Sequence, residues 1–222
     1  MIHQEPTSTL QTTLATWSIP NEQPQASVST DWRMLLPLLS GEAITLRELK
    51  LSDAPTLLAM LSTEEVSRFV SPPPTTVEGY ERFIEWTQRK REAGELVCFG
   101  IVPRGMSAAV GIIQVRALDK RFDSAEWGFA LGSPFWGNGM FIEGAEAVLD
   151  FAFNEIGVHR MEARCVVQNG RGNGALAKLG AVTEMRLPRS FEKNGTFYDQ
   201  FLSVILDSDW DARAPLPLIL QH

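Results

Sequence analysis

Two glycines directly before an amphipathic segment carry the clearest chemical signal in this sequence. Gly137 and Gly139 enclose Asn138, and from Ile142 onward apolar residues recur at the spacing of one helix face. Glycine permits a tight backbone path and carries no side chain that would keep a ligand away. The start of a helix presents unpaired N–H groups and the positive end of its dipole, which suit a phosphate. The pattern predicts an anion-binding turn, although such a glycine pair alone is more typical of an ordinary strand-to-helix turn.

The strand candidate that precedes this turn carries one acidic residue among small neighbours. Side chains alternate along residues 125–131, so Glu126 shares a face with Gly128 and Ala130. Small neighbours leave room for a ligand beside a carboxylate, and a carboxylate can act as a general base. The same residues also fit a bulge at Gly128 next to an exposed surface acid. The residues alone leave both interpretations open.

Length and composition predict one folded domain with polar ends. The chain has 222 residues, of which 44% are hydrophobic, and a formal net charge of -7. We expect a flexible or extended arm over residues 1–31, the domain over 32–211 and a tail over 212–222. The acidic charge argues against nucleic-acid binding. No signal peptide or membrane span is visible, so a cytoplasmic protein is expected.

The order of predicted elements indicates a mixed α/β (α+β) sheet. A strand near residue 44 is followed by two helices, three strands and the amphipathic helix. A strand at 160–167, a short helix at 175–179 and a long hairpin at 182–206 complete the order. One central helical crossover fits this order better than a sandwich or a regular βαβ series. Cys98 and Cys165 fall in apolar strand-like runs and are expected to be buried free thiols, with a single disulfide as the alternative.

Four segments of the sequence together form a family pattern. They are Trp136-Gly137-Asn138-Gly139-Met140-Phe141-Ile142-Glu143, Leu149-Asp150-Phe151-Ala152-Phe153, Gly157-Val158-His159-Arg160-Met161-Glu162, and Asn169-Gly170-Arg171-Gly172 followed by Leu176, Lys178, Leu179 and Gly180. In this order they resemble the motifs of the GNAT acetyltransferases, and the first resembles the family's acyl-CoA pyrophosphate loop. The resemblance spans residues 44–210 and is strongest to the branch that contains the ribosomal-protein N-terminal (alanine) acetyltransferases. The resemblance implies a mostly antiparallel sheet with flanking helices, in which a central pair of strands splays apart.

The resemblance also implies an activity and a site. The activity is transfer of an acetyl group from acetyl-CoA to a primary amine, on a protein N-terminus or a small molecule, by direct attack in a ternary complex. Glu126 is the implied base, and a backbone N–H of Phe129 or Ala130 would polarise the thioester. The implied cofactor-binding residues are Trp127, Phe129, Ala130, Leu131, Trp136, Gly137, Asn138, Gly139, Met140, Phe141, Ile142, Asn169, Arg171 and Gly174. The expected partners are acetyl-CoA and an amine, without metal, nucleic acid or membrane, for a monomer or homodimer.

Several positions depart from the family's pattern. Phe141 stands where Ala or Gly is usual, Met140 where Tyr is frequent, and Gly172 where Ser is usual. Leu176 occupies the position at which many members carry a tyrosine general acid, which leaves water or Tyr198 to protonate the thiolate. These departures keep open the alternative of a non-catalytic acyl-CoA-binding or sensing module.

Two further residues allow different roles, and the acceptor region is less defined. Asn169 either hydrogen-bonds the pantetheine arm or caps a helix. His159 is expected to be a hydrogen-bonded residue at a helix–strand junction and not a catalytic group. The acceptor is expected beside residues 65–74, Trp86 and the hairpin tip at 190–198.

Overall fold

A nine-stranded sheet forms the centre of the computed structural model, which describes residues 31–211 and 219–221. The strands are β1 (Leu38–Ser40), β2 (Ile44–Glu48), β3 (Leu96–Pro103), β4 (Gly111–Ala117), β5 (Ser124–Leu131), β6 (Arg160–Val166), β7 (Val182–Lys193), β8 (Thr196–Leu206) and β9 (Ile219–Gln221). Their order across the sheet is β7-β8-β6-β5-β4-β3-β2-β1-β9. Every neighbouring pair is antiparallel except β5 and β6, so the predicted mixed, mostly antiparallel sheet is confirmed.

The predicted arm and tail fall largely outside this description. Residues 1–30, 212–218 and 222 lie outside the described residues. Within the predicted tail, β9 pairs antiparallel with β1 at the edge of the sheet. That edge strand therefore belongs to the same sheet as the strands of the predicted domain. The limits predicted for the domain remain a prediction.

Helices cover both faces of the sheet. They are α1 (Ala54–Leu61), α2 (Glu64–Ser67), α3 (Val77–Glu92), α4 (Met140–Phe151), α5 (Gly170–Lys178) and α6 (Asp207–Asp211). Apolar residues of α1 to α3 pack with alternate residues of β3 on one face, called here the α1–α3 face. On the opposite α4 face, Phe151 meets Phe99 edge-on with ring centroids 5.4 Å apart. Within residues 31–211, none of these helices has the length and apolar character to cross a membrane.

The start of α4 is fixed against the edge of β2. The Glu143 carboxylate accepts hydrogen bonds from the Ala43 amide at 3.0 and 3.2 Å. A Cβ on Gly144 would lie 2.9 Å from Cδ1 of Ile44, so the absence of a side chain here lets α4 approach β2 without displacing the Ile44 side chain. These contacts hold the first turn of α4, and with it the preceding glycine turn, in one position relative to the sheet.

A buried ion pair fixes the beginning of α1. Arg47 donates to both carboxylate oxygens of Asp53 at 2.8 Å, and the Asp53 side chain is only 1% exposed. The amides of Lys50 and Ala109 also donate to this carboxylate, at 2.8 and 3.0 Å. Burial by itself would raise the pKa of Asp53, but the guanidinium and the two amides together hold it below its usual value.

The one parallel pair, β5 and β6, stays together only at its start. Its register joins Ser124 to Arg160, Ala125 to Met161 and Glu126 to Glu162. Beyond these residues β5 continues along β4, while β6 continues along β8. The strands therefore diverge and open a gap in the middle of the sheet, as the resemblance implied.

Helix α5 starts at Gly170, earlier than the predicted helix at 175–179. The Asn169 side chain caps it by accepting a hydrogen bond from the Gly172 amide at 3.0 Å. A Cβ on Gly172 would lie 2.7 Å from Nδ2 of Asn169 and 2.9 Å from Sγ of Cys165, so a larger residue would displace the capping side chain or the thiol. Each glycine lowers helix stability by about 1 kcal/mol relative to alanine. The prediction was wrong because this cap and this packing offset the local propensity.

Both cysteines are buried free thiols, as predicted. Burial raises the pKa of Cys98 to about 12 and that of Cys165 to about 11. Because the thiolate is the nucleophilic form, both side chains behave as small packing residues. Cys165 packs beside the cap of α5, next to the gap between β5 and β6.

Candidate active site

A cavity of about 750 Å³ lies at the gap between β5 and β6. Its walls come from the end of β5, the glycine turn with the start of α4, the first turns of α5, and residues 65–70 around the end of α2. Helices α4 and α5 contribute to the core cluster on the α4 face, whereas α2 packs on the α1–α3 face. The gap therefore brings parts of both faces of the sheet to one cavity.

Most of the predicted cofactor-binding residues line this cavity. They are Phe129, Ala130, Leu131, Trp136, Gly137, Gly139, Phe141, Ile142, Asn169, Arg171 and Gly174. Trp127, Asn138 and Met140 are not part of the lining. Trp127 is 3% exposed and belongs to the core, and the Asn138 side chain accepts a hydrogen bond from the Met140 amide at 3.2 Å.

The glycine turn leaves open space at the start of α4. Gly137 and Gly139 have φ of 79° and 88°, in the left-handed region that favours glycine. At both positions the place of a Cβ has no heavy atom within 4 Å. Helix α4 begins at the next residue, Met140, and the first amides of a helix have no carbonyl acceptor within it. These features fit an anionic group such as the pyrophosphate of coenzyme A.

A cation–π contact links the glycine turn to α5. Nε1 of Trp136 donates to the Leu131 carbonyl at 2.7 Å, which fixes the indole beside the end of β5. The Arg171 guanidinium lies 4.0 Å from the centroid of that indole ring. Such contacts contribute about 0.5–2 kcal/mol, depending on solvent exposure. Because Arg171 is exposed, its guanidinium is also accessible to an anion in the cavity.

Phe141 forms an aromatic wall and does not fill the glycine turn. Its ring centroid lies 4.3 Å from that of Phe129, which in turn lies 5.2 Å from that of Trp127. This row of rings joins α4 to β5 on the α4 face. The departure from the family's small residue therefore narrows the cavity but leaves the backbone donors in place.

Glu126 lies on the α1–α3 face, between two arginines. Its carboxylate forms an ion pair with Nη2 of Arg116 on β4, and Nε of Arg164 on β6 lies 3.9 Å from its second oxygen. The Glu126 side chain is 21% exposed, and it is not part of the cavity lining. The sequence analysis assigned no role to either arginine. The alternation of side chains along β4 and β6 was the signal that could have placed both on the same face as Glu126.

The expected acceptor region comes together only in part. Lys193, at the tip of the β7–β8 hairpin, donates to the carbonyl of Ser67 and to that of Val70 at 3.3 Å. This contact joins the hairpin tip to the segment 65–70 that lines the cavity. Trp86 lies on α3 and is not part of the lining. The end of α2 therefore borders the cavity on the α1–α3 face, and the hairpin tip contacts this segment without lining the cavity itself.

The remaining candidates for acid–base chemistry lie elsewhere. Leu176 is 2% exposed in the core, and Tyr198 does not line the cavity. His159 shares a hydrogen bond of 2.7 Å with Asp207 at the junction before β6, and this bond raises the pKa of His159. Over the described ranges, no group of three His, Cys, Asp or Glu side chains converges as metal ligands would. Among the residues considered for this chemistry, Glu126 is the one beside the gap.

Proteins of known family resemble this chain over most of its length. The uncharacterized N-acetyltransferase YoaA of Bacillus subtilis (strain 168) is 28% identical over 170 residues, which cover 74% of this chain and 94% of YoaA. The ribosomal-protein-S5-alanine acetyltransferase from Vibrio fischeri has a similar fold, with a TM-score of 0.71 at 21% identity over 78% of this chain and 98% of that one. The microcin C7 self immunity acetyltransferase MccE, solved with acetyl-CoA and AMP, has a TM-score of 0.67 at 20% identity over 75% of this chain and 93% of that one.

The family model described as "Acetyltransferase (GNAT) domain" matches residues 43–182. This range makes up more than half of the chain and includes the diverging strands, the glycine turn and α5. The family uses acetyl-CoA, and the fold of this chain is that of its solved members. The chain therefore belongs to the GNAT family of acetyltransferases, and its fold resembles that of a ribosomal-protein alanine acetyltransferase.

Proposed function

We propose that this acetyltransferase moves the acetyl group of acetyl-CoA to a primary amine, by direct attack of the amine in a ternary complex. The observation that carries the proposal is the single cavity that joins the glycine turn to the gap between β5 and β6. The amides of residues 137–142, apart from that of Met140, which donates to the Asn138 side chain, bind the pyrophosphate at the start of α4. The open edge of β5 then pairs with the amides of the pantetheine arm, as an edge strand pairs with an extended peptide.

The direction of the peptide groups along β5 selects one donor for the thioester carbonyl. The Ala130 carbonyl oxygen lies 2.7 Å from the place of a Cβ on Gly111, so it faces β4. The Gly132 amide donates to the Val110 carbonyl at 2.9 Å, also on that side. Because successive residues present their peptide groups to opposite edges of a strand, the amide of Phe129 faces the gap. We therefore assign the oxyanion donor to Phe129.

Glu126 receives the proton that the attacking amine loses, directly or through one water molecule. The guanidinium groups of Arg116 and Arg164 hold its carboxylate in place at the point where β5 and β6 diverge. The new C–N bond forms as the thioester C–S bond breaks, and water protonates the thiolate because Leu176 offers no acid. The amine enters from the α1–α3 face, beside residues 65–70. The branch resemblance favours a protein N-terminus, with a small-molecule amine as the close rival.

A binding assay followed by a turnover assay tests this proposal. We expect acetyl-CoA and CoA, but not ATP, to raise the Tm, and thiol release to require both acetyl-CoA and an amine. Glu126→Gln should lower kcat by about 10²- to 10⁴-fold, while the Kd for acetyl-CoA changes little. Glu155→Gln, at an exposed acid beyond the end of α4, is the matched control and should retain wild-type turnover.

Two outcomes would contradict the proposal. Stabilisation by ATP alone would exclude a coenzyme A site at the glycine turn. Tight CoA binding without thiol release, across both peptides and small amines, would instead favour the acyl-CoA-sensing module. Wild-type turnover of Glu126→Gln at neutral pH would remove Glu126 from the mechanism and leave the family activity intact.

A further inference from the structure

The carboxylate proposed as the base stands in a row of charges that crosses three strands. In the sheet register Arg116 on β4 lies opposite Glu126 on β5, which lies opposite Glu162 on β6. Arg164 follows Glu162 by one full alternation and therefore points to the same α1–α3 face. Both arginines reach Glu126, and each approaches a different carboxylate oxygen.

The arginines of this row have more N–H donors than its carboxylates accept. Glu126 faces two guanidinium groups, whereas Arg160 is shared by the carboxylates of Glu162 at 2.8 Å and Glu184 at 2.6 Å, so these six side chains together are neutral. The Arg116 and Arg164 side chains are 56% and 47% exposed, whereas Glu126 is 21% exposed. A guanidinium has five N–H donors, and one shared carboxylate cannot accept from all of them. Guanidinium N–H donors that no carboxylate accepts from therefore remain beside the proposed base.

These N–H donors lie on the α1–α3 side of the gap, the side from which the acceptor is proposed to enter. Continuing the parallel register places Arg164 across the gap from Gly128, where β5 and β6 no longer pair. Above Gly128, the place of a Cβ has only the Gln114 side chain within 4 Å, at 3.6 and 3.9 Å. The amide of the next residue, Phe129, is the proposed oxyanion donor. An amine that approaches this amide from the α1–α3 face arrives beside Arg164 and Glu126.

We propose that the acceptor is a primary amine with a carboxylate close to the amine, and that Arg164, helped by Arg116, binds this carboxylate while Glu126 takes the amine. This inference rests on the proposed function. A simple amine offers the arginine donors no acceptor, whereas an amine with an adjacent carboxylate complements all three side chains. Arginine suits this role because its planar donor fork binds carboxylates in a bidentate way. The shared chemistry has two sources: a free α-amino acid, or a polypeptide with an acidic residue beside its N-terminus.

Thiol release with pairs of acceptors that differ only in this charge tests the inference. The first arm compares a panel of α-amino acids with their carboxamides, and the second compares peptide amides with Asp or Glu at the second position against Asn or Gln. We expect kcat/KM to be at least about tenfold higher for the carboxylate member in the arm that matches the natural source, as one bidentate contact provides. Arg164→Ala should abolish the difference by raising KM for the carboxylate member, and leave the Kd for acetyl-CoA unchanged. Arg164→Lys should restore part of it.

A control variant changes an arginine outside the row of charges, and defined results would overturn the inference. Arg121→Ala removes an 82% exposed arginine that pairs with Asp123 before β5, and it should retain the full preference. Equal or better turnover of the uncharged members, or a preference that survives Arg164→Ala with Arg116→Ala, overturns this inference and leaves the proposed function standing. Absence of thiol release with every acceptor, despite CoA binding, overturns both.

Discussion

Replacing Gly139 by alanine separates the role of the glycine turn in ligand binding from its role in the fold. Gly139 has a φ of 88°, and no heavy atom lies within 4 Å of the place where a Cβ would stand. The new methyl group therefore meets no protein atom, and only the backbone conformation becomes strained. Gly105, in the turn between β3 and β4, has a φ of 84° and the same empty surroundings. It does not line the cavity, so Gly105→Ala is a matched control.

The two variants should lose the same free energy of unfolding, whereas only Gly139→Ala should lose affinity for CoA. A left-handed alanine costs about 1–2 kcal/mol, of which about 0.4–1 kcal/mol is offset by the lower entropy of the unfolded chain. A net loss of about 1 kcal/mol lowers the Tm of a domain of this size by about 2–4 °C. At Gly139 the methyl group also occupies the space proposed for a phosphate. Loss of one or two charge-assisted hydrogen bonds, at about 1.5–3 kcal/mol each, weakens CoA binding by at least about tenfold.

Thermal unfolding and calorimetric titration with CoA measure the two quantities independently. We expect similar Tm values for Gly139→Ala and Gly105→Ala, and a raised Kd only for Gly139→Ala. An equal Kd in both variants would refute the pyrophosphate assignment to this turn. A Tm decrease at Gly139 much larger than that at Gly105 would show that the turn carries a packing role which the empty space does not explain.

Three further changes test other parts of the structure. Arg171→Ala removes the cation stacked over Trp136 and should weaken CoA binding about threefold to tenfold with little effect on the Tm, as titration would reveal. Asp53→Ala leaves a largely buried guanidinium unpaired and should lower the free energy of unfolding in urea by about 3–5 kcal/mol; a loss near zero would contradict the buried pair. Asp207→Asn removes the group that raises the pKa of His159. The bond between protonated His159 and Asp207 stabilises the fold fully below the pKa of His159 in the unfolded chain, and this stabilisation disappears as the pH rises through the higher pKa in the folded state. The Tm of Asp207→Asn should therefore fall further below the wild-type Tm at about pH 5.5 than at about pH 9. An equal difference at both pH values would count against this role of Asp207.

The parts of the site that depend on local sequence were predictable. Gly137 and Gly139 before an amphipathic run indicated an anion-binding helix start, and the structure shows both with positive φ and open space around them. The alternation of residues 125–131 placed Glu126 on the face opposite the core residue Trp127. Asn169 is the helix cap that one of its two interpretations required. Each of these features is decided within a few residues of chain.

The features that the sequence did not predict correctly, or did not predict at all, depend on contacts between residues that are far apart in the chain. Helix α5 begins among glycines because Gly172 packs against Cys165, a contact that no local propensity contains. The pairing of Glu126 with two arginines requires knowing that β4 and β6 are the neighbours of β5 and in which register. The pairing of β9 with β1 likewise joins the two ends of the described chain. Such facts follow only when the strand order is known.

The two halves of the proposed site are built by different means, and this difference decides where substitutions matter. The donor half uses backbone amides at the start of α4 and at the open edge of β5, so Phe141 changes a wall of the cavity without removing a donor. The acceptor half uses the side chains of Arg116, Glu126 and Arg164, each from a different strand. A single substitution there changes the charge that an acceptor meets by one unit. A family can therefore keep one cofactor over divergent sequences while its members differ in acceptor, and the specificity of this member is to be sought in that row of charges.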